Sequence, residues 1–139
     1  MKSTALIERS AAASTEKLTI NLGVVDLGQI DLLVSEGFYS NRSDLIRTAV
    51  RNQLRVHADA VRHSVEQQSL RLGLRHVSRQ ELEQARADGK PLNIRVVGLA
   101  RIADDVSAQL ARAAIESVSV LGAFHASPAV RRALADRMS

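Results

Sequence analysis

A single short alternating strand followed by two helical patterns constrains this chain more than any other feature. The segment from Lys17 to Val56 reads KLTINLGVVDLGQIDLLVSEGFYSNRSDLIRTAVRNQLRV. One strand has no neighbour for its backbone N–H and C=O groups, and unpaired buried backbone groups are costly. The missing strand must come from elsewhere. The simplest source is a second copy of the chain, giving a two-stranded ribbon on a two-fold axis. Along the strand, Leu18, Ile20 and Leu22 face one way, and Lys17, Thr19 and Asn21 face the other. The apolar set is expected to cover the helices and join the two copies. The outward cation, hydroxyl and amide can hydrogen-bond base edges, and a two-stranded ribbon fits the DNA major groove. The same alternation also describes an ordinary half-exposed strand with polar residues facing water.

Gly23 breaks the strand. Asp26 is the expected N-cap of a first helix, with Leu27, Ile30, Leu33 and Val34 at helical spacing and Gly37 in the C′ position. A second helix opens near Asn41, with Asp44 as a capping-box-like partner. Its apolar stripe is Leu45, Ile46, Ala49, Val50 and Leu54, thinning through Ala58, Val61 and Val65. No Gly or Pro interrupts Asn41 to Leu72, so the helix is expected to run past the strand-helix-helix unit.

Gly73 reads as the next breaker. Ser78 with Glu81 forms a capping box opening a helix from Arg79 to about Asp88, and Gly89-Lys90-Pro91 stops it. Leu92 to Ile102 and Ser117 to His125 are strand candidates. A short helix is expected from Ser107, and Ser127-Pro128 opens a last one through Arg137. Residues 91 to 139 thus read as β-α-β-α, with no internal repeat. About fifty residues of this kind make a marginal core. The region is therefore expected to assemble with its counterpart in another subunit through apolar strand positions including Val96, Val97, Val118 and Val120, or to act as a sensor. The overall expectation is an α+β chain: a flexible arm over 1–15, a DNA-binding unit over 16–72, and an assembly region over 73–139.

The ribbon KLTINL, the helix ending in Glu36-Gly37, and YSNRSDLIRTAV opening the second helix together resemble the ribbon-helix-helix DNA-binding regulators of the Arc/MetJ/CopG type. The resemblance covers roughly forty residues. It implies an intertwined homodimer whose antiparallel ribbon enters the major groove, the use of β-ribbons known for this class. It further implies that Lys17, Thr19 and Asn21 read bases, with Asn21 suited to adenine and Lys17 to guanine. Ser40, Asn41, Arg42 and Ser43, at the N-terminus of the second helix, would hold a phosphate. Arg47 and Arg51, one turn apart, either lie near DNA or pair with Asp44 and other surface carboxylates, the second being the usual arrangement of exposed charges on a helix.

Composition narrows the alternatives. The net charge of +4 permits a polyanionic partner, and three aromatics (Phe38, Tyr39, Phe124) provide poorly for stacking single-stranded bases, which favours duplex DNA. There is no cysteine, and the four histidines offer no H-x₃-H pair, so no metal site and no cofactor are expected. His125, beside Phe124, reads as a partly buried packing residue, and Asp104-Asp105 as carboxylates at a helix N-terminus. No phosphate loop or nucleophile-base arrangement suggests an enzyme. No apolar run of membrane-spanning length and no secretory leader pattern is present, so a cytoplasmic, nucleoid-associated place is expected. The leading reading is a sequence-specific double-stranded-DNA-binding regulator, a repressor by analogy with the family it resembles, acting as a homodimer or a tetramer. The alternatives are an antitoxin, disfavoured by the patterned C-terminal half, and a self-assembling scaffold without DNA.

Overall fold

The computed structural model describes residues 15–139, which fall into two compact units divided between Ser64 and Val65. The expected N-terminal arm lies outside the described residues, apart from Thr15.

In the first unit, residues 15–23 carry no hydrogen-bonded strand within the single chain. Helix α1 (Val24–Ser35) follows, then α2 (Arg42–Val56) and α3 (Ala58–Gln67). The N-cap of α1 is Gly23 rather than Asp26. Asp26 lies in the first helical turn, where its carboxylate complements the positive end of the dipole. The other end of α1 forms as expected. Gly37 takes a φ of +84°, its N–H reaches Val34 O at 3.1 Å, and the Phe38 N–H reaches Leu33 O at 3.0 Å. That pair of bonds is a Schellman cap, which needs the left-handed conformation that glycine adopts without strain. The long helix expected from Asn41 is interrupted at His57 (φ −99°, ψ 12°), although the Val61 N–H still bonds His57 O at 3.0 Å. It ends at Gln67 without any glycine or proline, through Ser69 at φ +53°.

The second unit is a three-turn α/β coil. Strand β1 (Arg71–Val77), helix α4 (Arg79–Ala87), β2 (Leu92–Ile102), α5 (Ala108–Ala114), β3 (Ile115–His125) and α6 (Pro128–Leu134) alternate, with a 3₁₀ turn at Ala135–Arg137. The strands form one parallel sheet in the order β1-β2-β3. Beyond β3, the Ser139 N–H donates to Val118 O at 3.0 Å and Met138 bridges Val118 in parallel, beginning another turn. Gly73 is therefore no breaker. It lies inside a strand that sequence reading overlooked, so the region holds one more strand than the helix from Arg79 and the β-α-β-α over 91–139 that were expected.

The unit is also an internal repeat. Gly73, Gly98 and Gly122 are register partners on adjacent strands, with φ of +121°, +136° and +122°. Each turn then reaches a serine N-cap: Ser78 for α4, Ser107 for α5 and Ser127 for α6, whose hydroxyls accept from the N–H of Glu81, Leu110 and Val130. Seven residues after each serine stands a buried apolar side chain, Ala85, Ala114 or Leu134. A repeat of this length stacks one β-α turn on the next so that neighbours share a continuous core. That core is filled by Ile94, Val96, Ala100, Ile102, Val118 and Phe124 from the sheet and by Leu82, Leu110, Val130 and Leu134 from the helices. At the first turn, Arg75 ties β1 to α4 through Glu81. The guanidinium holds the Glu81 carboxyl below the ordinary glutamate range, partial burial opposes it, and the Ser78 N–H assists.

Candidate nucleic-acid interface

The first unit has no interior. None of residues 15–64 is buried, and every buried apolar side chain of the described chain lies between Val77 and Leu134. Leu18, Ile20 and Leu22 are 83%, 51% and 42% exposed, and Val25, Leu32, Phe38, Val50, Leu54 and Val56 also face solvent. So much apolar surface on so few residues is the surface of half a core. Lys17, Thr19 and Asn21 are exposed as well and alternate with the ribbon leucines and isoleucine along the chain.

The start of α2 is built by its own sequence. Asn41 is the N-cap, in an extended conformation, and its Oδ1 accepts the Asp44 N–H at 2.8 Å. Asp44 returns its Oδ2 to the Ser40 N–H at 2.9 Å. These two bonds satisfy Ser40 and Asp44. They leave the backbone N–H groups of Arg42 and Ser43 at the open end of the helix, the donors a phosphate oxygen would take. The Arg42 side chain points elsewhere: its Nε and Nη2 donate to Asp31 Oδ1 and Oδ2 at 2.7 and 2.8 Å, a bidentate pair tying α2 to α1. The pairing lowers the Asp31 carboxyl and raises the Arg42 guanidinium. Of the four phosphate candidates, Asn41 and Arg42 thus spend their side chains on structure, while Ser43 keeps an exposed hydroxyl beside an open N–H. Arg47 and Arg51 are exposed, and Asp44 bonds the backbone of Ser40 instead of either.

A family model for the ribbon-helix-helix transcriptional regulator family matches residues 13–131. The chain belongs to that family. No curated protein and no solved structure gives a match. The match extends well beyond the forty residues that carry the resemblance, and runs through both units to the middle of α6. The β-α coil is thus part of what this ribbon-helix-helix regulator shares with its family. Among the described residues, no helix is long and apolar enough to cross a membrane.

The assembly residues expected in the C-terminal half are divided by the sheet. Val96 and Val118 are buried beneath α4, α5 and α6, and Val120 packs against the same core. Val97 lies on the opposite, helix-free face. There the strand register aligns Leu72 with Val97 and Leu121, and Leu74 with Leu99 and Ala123. Leu72, Leu74 and Leu121 are 63%, 58% and 62% exposed. Leu72 and Leu74 flank Gly73 in the sequence, and a glycine between them masks their alternation as a strand.

Proposed function

We propose that this ribbon-helix-helix regulator is a homodimeric repressor that reads double-stranded DNA in the major groove with a ribbon made of residues 17–22 from two chains. The observation that carries this reading is the absence of any buried residue in 15–64. A unit of this size cannot hold three helices in place without an interior, and a second copy laid across the exposed ribbon and helix stripes supplies one. Once Leu18, Ile20 and Leu22 are spent on that interior, Lys17, Thr19 and Asn21 form a row on the outer surface. The N–H groups of Arg42 and Ser43, with the Ser43 hydroxyl, then anchor a backbone phosphate and fix the ribbon's register, while the ribbon carries the sequence information.

Replacing Asn21 with Ala removes the one side chain in the row able to bond an adenine edge at two points. The expected cost is about 1–3 kcal/mol at the cognate site, with relaxed preference at one base position per half-site and little change on random DNA. Competition binding against single-base operator variants measures it. Equal discrimination by wild type and Asn21→Ala would remove base reading from the ribbon.

The second unit serves assembly. A three-stranded parallel sheet with an apolar face that no element of the described residues covers is unusual, because parallel strands are ordinarily covered on both sides. We assign Leu72, Leu74, Val97, Leu99 and Leu121 to contact with the same face of a second copy, joining two dimers into a tetramer. Tethering a second reader makes its engagement with a neighbouring half-site effectively intramolecular. Light scattering on the double variant Leu74→Lys/Leu121→Lys should report two chains where wild type reports four. The same mass for both proteins would overturn this assignment.

A further inference from the structure

The carboxyl ends of the three parallel strands bring together residues that sequence spacing kept apart. His76 ends near the tip of β1, Arg101 near that of β2, and His125 closes β3. The register pairs His76 with Arg101 and Arg101 with His125. They therefore form one row across the sheet, spaced by the strand separation of about 4.8 Å. Arg101 Nη2 lies 3.3 Å from His125 Nδ1. All three line a concave cavity of about 740 Å³, which Asp104 and Ser127 also border. That volume falls in the range of small-molecule sites.

We propose that this cavity binds a small phosphate- or carboxylate-bearing molecule, with its anionic group held by Arg101 between His76 and His125. The charge pattern selects the class. A guanidinium at the centre of the row repels a metal ion, and the two histidines are two strand separations apart, about 10 Å, too far to share one. A guanidinium fork fits a carboxylate or phosphate at two oxygens, and the His76 imidazole beside it can add one more bond. Among the described residues no carboxylate forms an ion pair with Arg101, which leaves its charge available to a ligand. Asp104 is, among the described residues, the single acidic group on the cavity wall. It opposes a bare anion and favours a ligand that also carries a hydroxyl or amino donor.

The full-length protein is titrated with inorganic phosphate and, separately, with glycerate. Calorimetry follows binding, and the ring C–H resonances of His76 and His125 locate it. Both probes should move both histidines, with glycerate binding more tightly, and Arg101→Gln should weaken either at least tenfold. His63, exposed on α3, serves as a control that stays still. Three results would overturn the proposal: no shift of either histidine at about 10 mM of both probes, equal binding by Arg101→Gln, or shifts spread equally over His63. A DNA arm separates the remaining source of phosphate. Arg101→Gln should bind operator DNA as wild type does in the absence of small ligand, and a loss there would make the row a DNA contact instead. Thermal unfolding of the variant establishes that its fold is retained, and His76→Gln gives an independent loss at the same site.

Discussion

Gly98→Ala is expected to unfold the C-terminal unit, and Gly122→Ala to do the same. A Cβ built on Gly98 would stand 2.2 Å from the carbonyl oxygen of Gly73, and one on Gly122 would stand 2.1 Å from that of Gly98. Both contacts are with backbone, so no side chain can turn aside. The φ values of +136° and +122° add conformational strain that an L residue carries and glycine does not. Relief requires adjacent turns of the coil to move apart, which breaks the sheet ladder they share. The expected destabilisation is about 4 kcal/mol or more at either position, at the severe end for single substitutions. Gly73→Ala supplies the contrast. Its φ is +121°, but nothing lies within 4 Å of the added carbon. It should therefore suffer only the backbone strain, about 1–3 kcal/mol. Chemical denaturation of the three variants tests the order. A Gly98→Ala protein as stable as Gly73→Ala would contradict the stacked-glycine arrangement.

Ile20→Asp is expected to dissolve the N-terminal unit while sparing the other. Ile20 lies in the middle of the ribbon's apolar set, and in a two-fold assembly each substitution enters twice. Burying a carboxylate where an apolar side chain belongs costs several kcal/mol per site. At about 3 kcal/mol per chain, dimer affinity should fall by roughly four orders of magnitude. Because residues 15–64 have no core of their own, loss of the dimer removes helices α1 and α2 as well as DNA binding. The coil keeps its buried apolar core from Val77 to Leu134, so part of the helical signal and a cooperative thermal transition should remain. Circular dichroism and sedimentation velocity measure both halves of this expectation. An Ile20→Asp protein that stays dimeric and fully helical would place the subunit contact elsewhere.

What could be read from sequence, and what could not, follows from how far apart the interacting residues lie. The Schellman end of α1 at Gly37, the Asn41 cap, and the serine caps at Ser78, Ser107 and Ser127 depend on groups within a few residues, and each was legible. The cap of α1 was misplaced because glycine at Gly23 leaves no side-chain signature, whereas Asp26 displays one three residues later. The repeat was hidden for two reasons. Few positions keep their identity from turn to turn, and the second turn carries four extra residues, Ala103 to Val106, between its strand and Ser107. A glycine at positive φ inside a strand also looks like a break when it is in fact a place of close backbone approach. The expected assembly positions mix the two faces of the sheet in part for the same reason. Without β1 in the sheet, nothing distinguishes the face of Val96 and Val118 from that of Val97. The His76–Arg101–His125 row exists only through parallel register, which no local pattern encodes.

The central claim is that two chains complete one another through residues 17–22. The most direct measurement is an isotope-filtered nuclear Overhauser experiment on full-length protein mixed from labelled and unlabelled chains. Intermolecular contacts between the Leu18–Leu22 segments of two chains, in antiparallel order about Ile20 or its neighbour, are the expected result. A ribbon segment whose contacts all arise within one chain, in a protein that remains folded at dilution, would contradict it.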